Sequence, residues 1–334
     1  MHIHPEGGRG RKAEAIRPKE TAGMKNVFID GSAGTTGLRI AQRLKERGDI
    51  HLLTLPEDRR KDPSARKEAL NAADIAFLCL PDAAAREAVG LVENSRTAII
   101  DTSTAHRVQP GWVYGFPEIG SLREKIRRSR RIANPGCHAS GFIALVRPLV
   151  ETGLLSKAAA LSCFSLTGYS GGGKKMIAEY EAKDLSPLLS APRMYGLSQQ
   201  HKHLPEMQAL CGLDAAPIFC PIVAPYYAGM EVVVALHKGG SAATQNEIRQ
   251  AYASYYKNGL VRYVENAGED GFLSACSMAG RDDMEISVSG NEDRMLLTAR
   301  FDNLGKGASG AAIQNMNLLL GVDEKTGLET GEEK

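Results

Sequence analysis

"KNVFIDGSAGTTGLRIAQRLKERGDIHLLTL", from Lys25 to Leu55, is the stretch that decides the fold. Val27, Phe28 and Ile29 form a short apolar run that suits a buried strand. Gly31, Gly34 and Gly37 follow with G-x-x-G-x-x-G spacing. Leu38, Ile40, Ala41 and Leu44 then recur with helical period until Gly48, and "IHLLTL" reads as the next strand. A strand, a glycine-rich turn, a helix and a strand make the opening of a dinucleotide-binding βαβ unit. The physical reason is close approach. Glycines let backbone N–H groups reach a pyrophosphate, and a helix N-terminus favours negative charge. The candidate cradle is Gly31, Ser32, Gly34, Thr35, Thr36 and Gly37; the competing reading is a tight structural turn.

The end of the second strand bears on the cofactor. It runs into "LTLPEDRRKDPSARK" (Leu53 to Lys67). Glu57 and Asp58 suit a ribose 2′-OH, but Arg59, Arg60 and Lys61 follow at once. Arginine at this point holds a 2′-phosphate, so NADP is preferred over NAD and Arg59 is the candidate contact. A solvated charged loop has the same composition. "ADIAFLCLP" and "TAIIDTSTAHRV" are further buried strands, separated by the helical "AAAREAVGLV". This alternation predicts an α/β fold with a parallel, doubly wound sheet. Ligands of such sheets sit at the carboxyl ends of strands, which places Leu80, Pro81, Thr102, Ser103 and Arg107 near cofactor or substrate.

Composition narrows the class. The 334 residues suit two domains, and 43% apolar with 24% charged content suits an ordinary globular protein. A net charge of +2 gives no bulk attraction to nucleic acid or membrane, so neither is expected as a partner. The basic run "REKIRRSRR" reads as a solvated helix face. No segment approaches the ~18 consecutive apolar residues of a membrane helix. The six cysteines show no CxxC pair and no zinc spacing, and no metal is expected. Cys79, Cys163, Cys211 and Cys220 lie in apolar runs and read as reduced core thiols, which points to the cytoplasm. Residues 1–23 are charged and glycine-rich and lack the apolar core of a secretory signal. They are expected to be a disordered leader outside the fold.

"RIANPGCHASGFIALVRPLV" (Arg131 to Val150) carries Cys137 between a Pro-Gly turn and a run that reads as a buried helix from Ala139 to Leu149. A thiol at a helix N-terminus is favoured as thiolate by the dipole and free N–H groups. The alternative is a core thiol. A nucleophile needs a proton partner, and "QQHKHLPEMQAL" offers His201 and His203. Pro205 suits the first turn of a helix, so the two histidines are expected in the extended stretch before it, pointing the same way. Glu206 is placed to orient one of them. A surface His pair or a weak metal site are the other readings.

Two segments suit anions. "SLTGYSGGGKKMI" sets Ser170 and Gly171 beside Lys174 and Lys175, although it is not a P-loop. "FDNLGKGASGAAIQNMNLLL" sets Asn303 and Lys306 in a glycine-rich turn before a helix rich in small residues.

Taken together, "FIDGSAGTTGLRI", "DTSTAHRV", "YGFPE", "NPGCHASGF", "GYSGGGKKMI", "HKHLPEM" and "DNLGKGASGAAIQNMNLL" resemble the N-acetyl-γ-glutamyl-phosphate reductases of arginine biosynthesis in their shorter form. The resemblance spans Asn26 to Leu320. It implies a nucleotide domain of residues 24–137 and 305–334, with the C-terminal helix returning to it, and an α+β catalytic and oligomerisation domain of residues 138–304. It implies a Cys137 nucleophile and an acid/base among His201 and His203, with His201 preferred for proton transfer and Glu206 positioning. Asn303 and Lys306 are implied near the cofactor. Arg107, Asn134, Ser170, Gly171, Lys174 and Lys175 are implied near a small acyl phosphate. The chemistry implied is an acyl thioester on Cys137, reduced by NADPH to an aldehyde. A homodimer or homotetramer is the expected assembly. The longer form of the family has Tyr after the cysteine; here it is His138. Aspartate-semialdehyde dehydrogenase and N-acetyl-aminoadipyl-phosphate reductase share the mechanism and stand as alternatives. A non-catalytic NADP-sensing module is the alternative of another class. Glyceraldehyde-phosphate-dehydrogenase chemistry would use NAD, against which Arg59, Arg60 and Lys61 speak.

Overall fold

The computed structural model describes residues 23–238 and 243–331; the leader expected at residues 1–23 falls, but for Gly23, outside them. Chain order begins with β1 (Lys25–Asp30), α1 (Thr35–Leu44), β2 (Ile50–Leu53), α2 (Pro63–Ala72), β3 (Ile75–Leu78), α3 (Asp82–Gly90), β4 (Ala98–Asp101), β5 (Val113–Tyr114), α4 (Leu122–Arg128) and β6 (Arg131–Ala133). These strands form one sheet in the order β2-β1-β3-β4-β6-β5, every pair parallel. Strand residues alternate between two cores, as the pleat requires. Val27, Ile29, Phe77 and Ile100 face α1 and α4, while Phe28, Leu53, Leu78 and Ile99 face α2 and α3. The sheet is therefore doubly wound, as the sequence predicts. Strand order reverses between β1 and β3, and the crevice at such a reversal is where ligands bind.

The second half holds α5 (Cys137–Glu151), β7 (Ser162–Gly168), α6 (Gly173–Tyr180), β8 (Arg193–Met194), α7 (Leu204–Cys211), β9 (Ile218–Ala224), β10 (Met230–His237), α8 (Gln245–Tyr255), β11 (Val261–Tyr263), β12 (Met284–Asn291), β13 (Arg294–Phe301) and α9 (Gly310–Leu320). Its sheet runs β11-β12-β13-β10-β7-β9-β8. β7 pairs with β9, and β11 with β12, in parallel; the other pairs are antiparallel. One face packs on α5, α7 and α8 through Phe142, Leu145, Leu149, Met207, Ile248 and Val232. Each such aliphatic or aromatic side chain contributes about 1.5–3 kcal/mol on burial. Gly141 lies against Val232, where a Cβ would collide, so α5 sits flush on the sheet.

α9 returns to the first sheet, where Ala312, Ile313, Met316 and Leu318 join the core of β1 and β3. Arg39 and Arg43, one turn apart on α1, and Arg47 just past its end tie this helix to the second half of the chain and to α9. Arg39 lies 3.6 Å from Asp302, Arg43 pairs with Asp282, and Arg47 donates to Asn317 Oδ1 at 2.8 Å. The apolar face predicted for α1 holds at Ile40 and Leu44, but Leu38 is half exposed. Cys163 and Cys211 are buried core thiols as expected, whereas Cys79 and Cys220 are only half-buried.

Lys306 is a correction. A cofactor contact was expected, but its ammonium is sealed in the interior. It donates to both Glu118 oxygens at 2.8 Å and to Gln314 Oε1 at 2.6 Å, and lies over the Phe116 ring. Glu118 also accepts from the Leu260 N–H at 2.9 Å. Burial opposes ionisation of Glu118, yet Lys306 and the amide donors hold its carboxyl below the usual range. The pair joins the "YGFPE" turn, the second half of the chain and the start of the returning segment.

Candidate active site

Between the two sheets lies a cleft of about 330 Å³. One bank is the β1–α1 turn. Gly31 has φ +88° and its Cα faces the Cys79 carbonyl so closely that no Cβ fits. A Cβ on Gly37 would fall 2.5 Å from the Gly31 carbonyl. This packing brings Gly34, Thr35, Thr36 and Gly37 to the cleft at the N-terminus of α1, with Leu80 beside them. Gly31 and Ser32 shape the turn behind the lining. α1 has no side-chain cap, and the Thr35 hydroxyl is buried without a partner. Uncapped N–H groups and a spare hydroxyl at a helix N-terminus fit a dinucleotide pyrophosphate.

Cys137 is the first residue of α5 and half-buried at the floor. Gly307 backs it, from a π-helical turn at Gly305–Ser309. The helix start was expected to favour the thiolate. Burial outweighs it: the thiol is raised above its ordinary range, opposed by Arg107 and the His138 N–H. Cys137 therefore rests as a thiol until a base and substrate arrive.

The opposite bank is the His201–His203 turn. The extended stretch expected there is instead a tight turn, closed by the Leu204 N–H on the His201 carbonyl at 3.0 Å. His203 caps α7 in helical conformation, and Pro205 sits in its first turn as predicted. The turn brings the rings edge to face, 4.7 Å apart. The His203 N–H donates to His201 Nδ1 at 3.2 Å, so a neutral His201 ring carries its proton on Nε2. Burial first, then Lys202 and Arg107, lower His201 to about 4. His203 is buried, lowered well below its ordinary value, and its Nδ1 has no partner.

Glu206 does not line the cleft. It is buried behind the wall, where it accepts from Arg107 Nη1 at 2.7 Å, from the Tyr114 hydroxyl at 2.6 Å and from the Gly136 N–H at 3.2 Å. Its nearest histidine atom, His203 Nε2, is 3.9 Å away. With three donors on one carboxylate, Glu206 holds Arg107 and the turn before Cys137 and is not a metal ligand. Arg107 reaches the cleft, and its Nε and Nη2 donate to the Asn134 and Thr102 carbonyls at 3.0 and 3.2 Å.

The structure brings together Cys137, Arg107, Asn134, Ser170, Gly171, His201, His203 and Asn303 with the α1 turn. Asn303 donates to the Ser170 hydroxyl at 2.9 Å and accepts from the Gly229 N–H at 3.0 Å, which fixes that corner. Other expectations fail. Lys174 and Lys175 are exposed on α6, outside the lining, because the 3-10 turn at Tyr169–Gly172 turns the helix start away. The Ser103 hydroxyl donates to Asp101 at 2.7 Å, within a buried cluster with His106, and does not line the cleft. Pro81 is exposed at the N-cap of α3 and does not line the cleft. Arg59 keeps its expected place, half-buried on the turn after β2 and outside the cleft lining.

Sequence reading passed over four residues. Lys202 and Gly307 line the cleft; Lys202 was legible from its place between two histidines. Tyr195 also lines it, and Tyr114 anchors Glu206; neither has a local sequence signal. His138 now has a place. Its Nδ1 meets the Ser165 hydroxyl at 2.6 Å and its Nε2 meets the Tyr195 hydroxyl at 2.7 Å. Burial lowers it to about 3, so it is a neutral strut that ties the start of α5 to β7 and to the Tyr195 wall.

Residues 57–129 match the model of a semialdehyde dehydrogenase NAD binding domain, and residues 137–303 that of a semialdehyde dehydrogenase dimerisation domain. The chain is 44% identical over 306 residues to an N-acetyl-gamma-glutamyl-phosphate reductase of Burkholderia cenocepacia, covering 89% of this chain and 97% of that one. It is 46% identical over 308 residues to a protein of the same name from Mesorhizobium japonicum, covering 89% and 99%. Among solved structures, aspartate semialdehyde dehydrogenase II from Vibrio cholerae superposes with TM-score 0.68 at 16% identity, over 89% of this chain and 98% of that one. The Candida albicans aspartate semialdehyde dehydrogenase with NADP gives TM-score 0.63 at 15% identity, over 89% and 98%. Those two likenesses show the fold. With a nicotinamide-binding half, a half of the dimerisation type and relatives this similar over nearly their whole length, the chain belongs to the N-acetyl-gamma-glutamyl-phosphate reductase family.

Proposed function

We propose that the chain reduces N-acetyl-γ-glutamyl phosphate to N-acetylglutamate semialdehyde and phosphate with NADPH, a step of arginine biosynthesis. The observation that carries this is the position of Cys137. It opens α5 in the same cleft as the glycine turn of α1 and the His201–His203 turn.

Cys137 attacks the acyl carbon; the S–C bond forms, the C–O bond to phosphate breaks, and the thiol proton leaves with the phosphate. The acyl group stays as a thioester, which divides one difficult step into two. Gly34, Thr35, Thr36 and Gly37 hold the cofactor pyrophosphate, and the bound nicotinamide supplies hydride for the thioester carbon. His201, protonated from solvent for this step, passes that proton to Sγ as the tetrahedral species collapses to aldehyde and the Cys137 thiol, and returns to its neutral Nε2–H form. His203 positions His201 through its N–H, and Glu206 positions Arg107. Asn134, Ser170, Gly171 and Asn303 line the substrate side. Residues 24–137 with 305–334 serve as the nucleotide domain and 138–304 as the catalytic domain. The setting is the cytoplasm.

NADP is favoured because Arg59 makes no side-chain hydrogen bond or ion pair among the described residues and follows β2. Arg59→Ala is expected to raise KM for NADPH about tenfold, the worth of one charge-assisted contact, and leave KM for NADH within about twofold. Steady-state kinetics with both cofactors check this; equal effects on the two remove Arg59 from the 2′-phosphate.

Assembly uses the outer face of the second sheet. Phe164 pairs with Val233 of β10 and Cys220 of β9, and Ala235 with Leu296 of β13. Phe164, Leu296 and Ile218 are 42%, 45% and 61% exposed, an apolar band that no element of this chain covers among the described residues. Such a band marks an interface, here of a homodimer or a dimer of dimers. Phe164→Glu is expected to shift sedimentation to the monomer; an unchanged assembly places the interface elsewhere.

The direct test is an assay with N-acetylglutamate semialdehyde, phosphate and NADP, beside NAD and aspartate semialdehyde. Comparable rates with all of them overturn the substrate assignment.

A further inference from the structure

We propose that Lys202 is a catalytic residue that receives the phosphate leaving group, an inference that rests on the acyl-phosphate reading above. A phosphoryl group brings close to two negative charges into the cleft, and the cleft has to offer charge in return. Among the described residues, the lining holds two permanently cationic side chains, Arg107 and Lys202. Arg107 is the more committed of the two. Three of its five N–H groups go to Glu206, the Asn134 carbonyl and the Thr102 carbonyl, and the Glu206 carboxylate is paired with it at 2.7 Å. His138, His201 and His203 are neutral at working pH, each lowered first by burial. Lys174 and Lys175 stand outside the lining.

Lys202 is different. It is exposed on the turn between the two histidines, and its ammonium makes no hydrogen bond or ion pair among the described residues. The turn also fixes where it stands. The rings of His201 and His203 lie 5.8 and 5.6 Å from that of His138, the residue after the nucleophile. The Lys202 charge is felt by Cys137, with which it lines the cleft and where it favours the thiolate, and by Asp82 at the start of α3. The phosphate is bonded through one oxygen to the carbon that Sγ attacks, so a cation near Sγ is near its oxygens. The far carboxylate of the substrate is several bonds further away.

In the step, the Sγ–C bond forms while the C–O bond breaks and its electron pair moves to the phosphate oxygen. The thiol proton completes hydrogen phosphate. Lys202 neutralises the charge that grows on that oxygen, an interaction stronger in the transition state than before it. A compact ammonium on a four-carbon stem can follow the departing ion, which a pinned guanidinium cannot.

The test runs the reaction in the oxidative direction, with N-acetylglutamate semialdehyde, NADP and varied inorganic phosphate. Lys202→Ala is expected to raise KM for phosphate at least about tenfold, with KM for semialdehyde and NADP within about twofold. Lys202→Arg is expected to recover most of the loss. Without phosphate, a stoichiometric burst of NADPH marks the thioester and is expected in the native enzyme and in Lys202→Ala. A burst with an unchanged phosphate KM in Lys202→Ala overturns the role of Lys202 and leaves the thioester reading standing. A rise in the semialdehyde or NADP KM instead also overturns it. No burst in the native enzyme removes the acyl-phosphate reading itself, and the proposal with it.

Discussion

Cys137→Ser lowers kcat at least about ten-thousand-fold, the scale of losing a covalent nucleophile, while cofactor affinity stays within about twofold. The two readouts separate because Cys137 stands at the floor, on α5, and the cofactor cradle stands on α1. The serine hydroxyl fits the space but its pKa is far above that of a thiol, so the acyl group is not transferred. The pH dependence of the native thiol adds a second check. Burial raises the Cys137 pKa, so thiolate is the minor form near neutrality. Deprotonation gains as pH rises; alkylation by iodoacetamide should therefore quicken about tenfold per unit below the thiol pKa. A plateau from weakly acidic pH upward would mean a preformed thiolate and would contradict the burial argument. Retention of phosphate-dependent aldehyde oxidation after complete alkylation would sink the covalent mechanism.

Lys306→Ala is expected to cost about 3–5 kcal/mol of stability, the range for removing one partner of a buried pair. The reason is the charge left behind. Glu118 keeps its amide donors but loses the ammonium that holds it ionised in the interior. The loss falls on three segments at once: the turn at Phe116–Glu118, the loop at Leu260 and the helix α9 that carries Gln314. Urea denaturation measures it. The double variant Glu118→Gln/Lys306→Met should recover much of the loss, because it removes both charges. A single-variant cost below about 1 kcal/mol would mean that the pair is hydrated and worth no more than a surface ion pair. The same measurement separates this role from cofactor contact, since a cofactor contact would change KM and not unfolding.

The first half of the chain was readable because its signals are local. A strand, three glycines and a helix within twenty residues specify the β1–α1 turn, and Gly31 and Gly37 sit where the Cys79 and Gly31 carbonyls leave no room for a Cβ. The position of Cys137 at a helix start was readable for the same reason. The histidine turn was half legible: Pro205 gave the helix, but the turn conformation at His203 depends on the hydrogen bonds it makes.

The misreadings share a cause. Lysine beside glycine reads as an anion site, yet Lys306 points inward to Glu118, 188 residues away in sequence. Lys174 and Lys175 have the right composition and lie on the exposed side of their helix. Ser103 lies two residues beyond the end of β4, and Asp101 takes its hydroxyl. Sequence states which groups are present; it does not state which are already satisfied. The chain alone determined the doubly wound sheet, the glycine turn before α1 and the place of Cys137 at a helix start, because backbone geometry and period act over a few residues. Tertiary structure decided which cations are already paired, that Glu206 serves Arg107, and that Lys202 is left to face the cleft. Each of those depends on a partner brought from far along the chain into a low-dielectric interior, where pairing decides whether a charge is available.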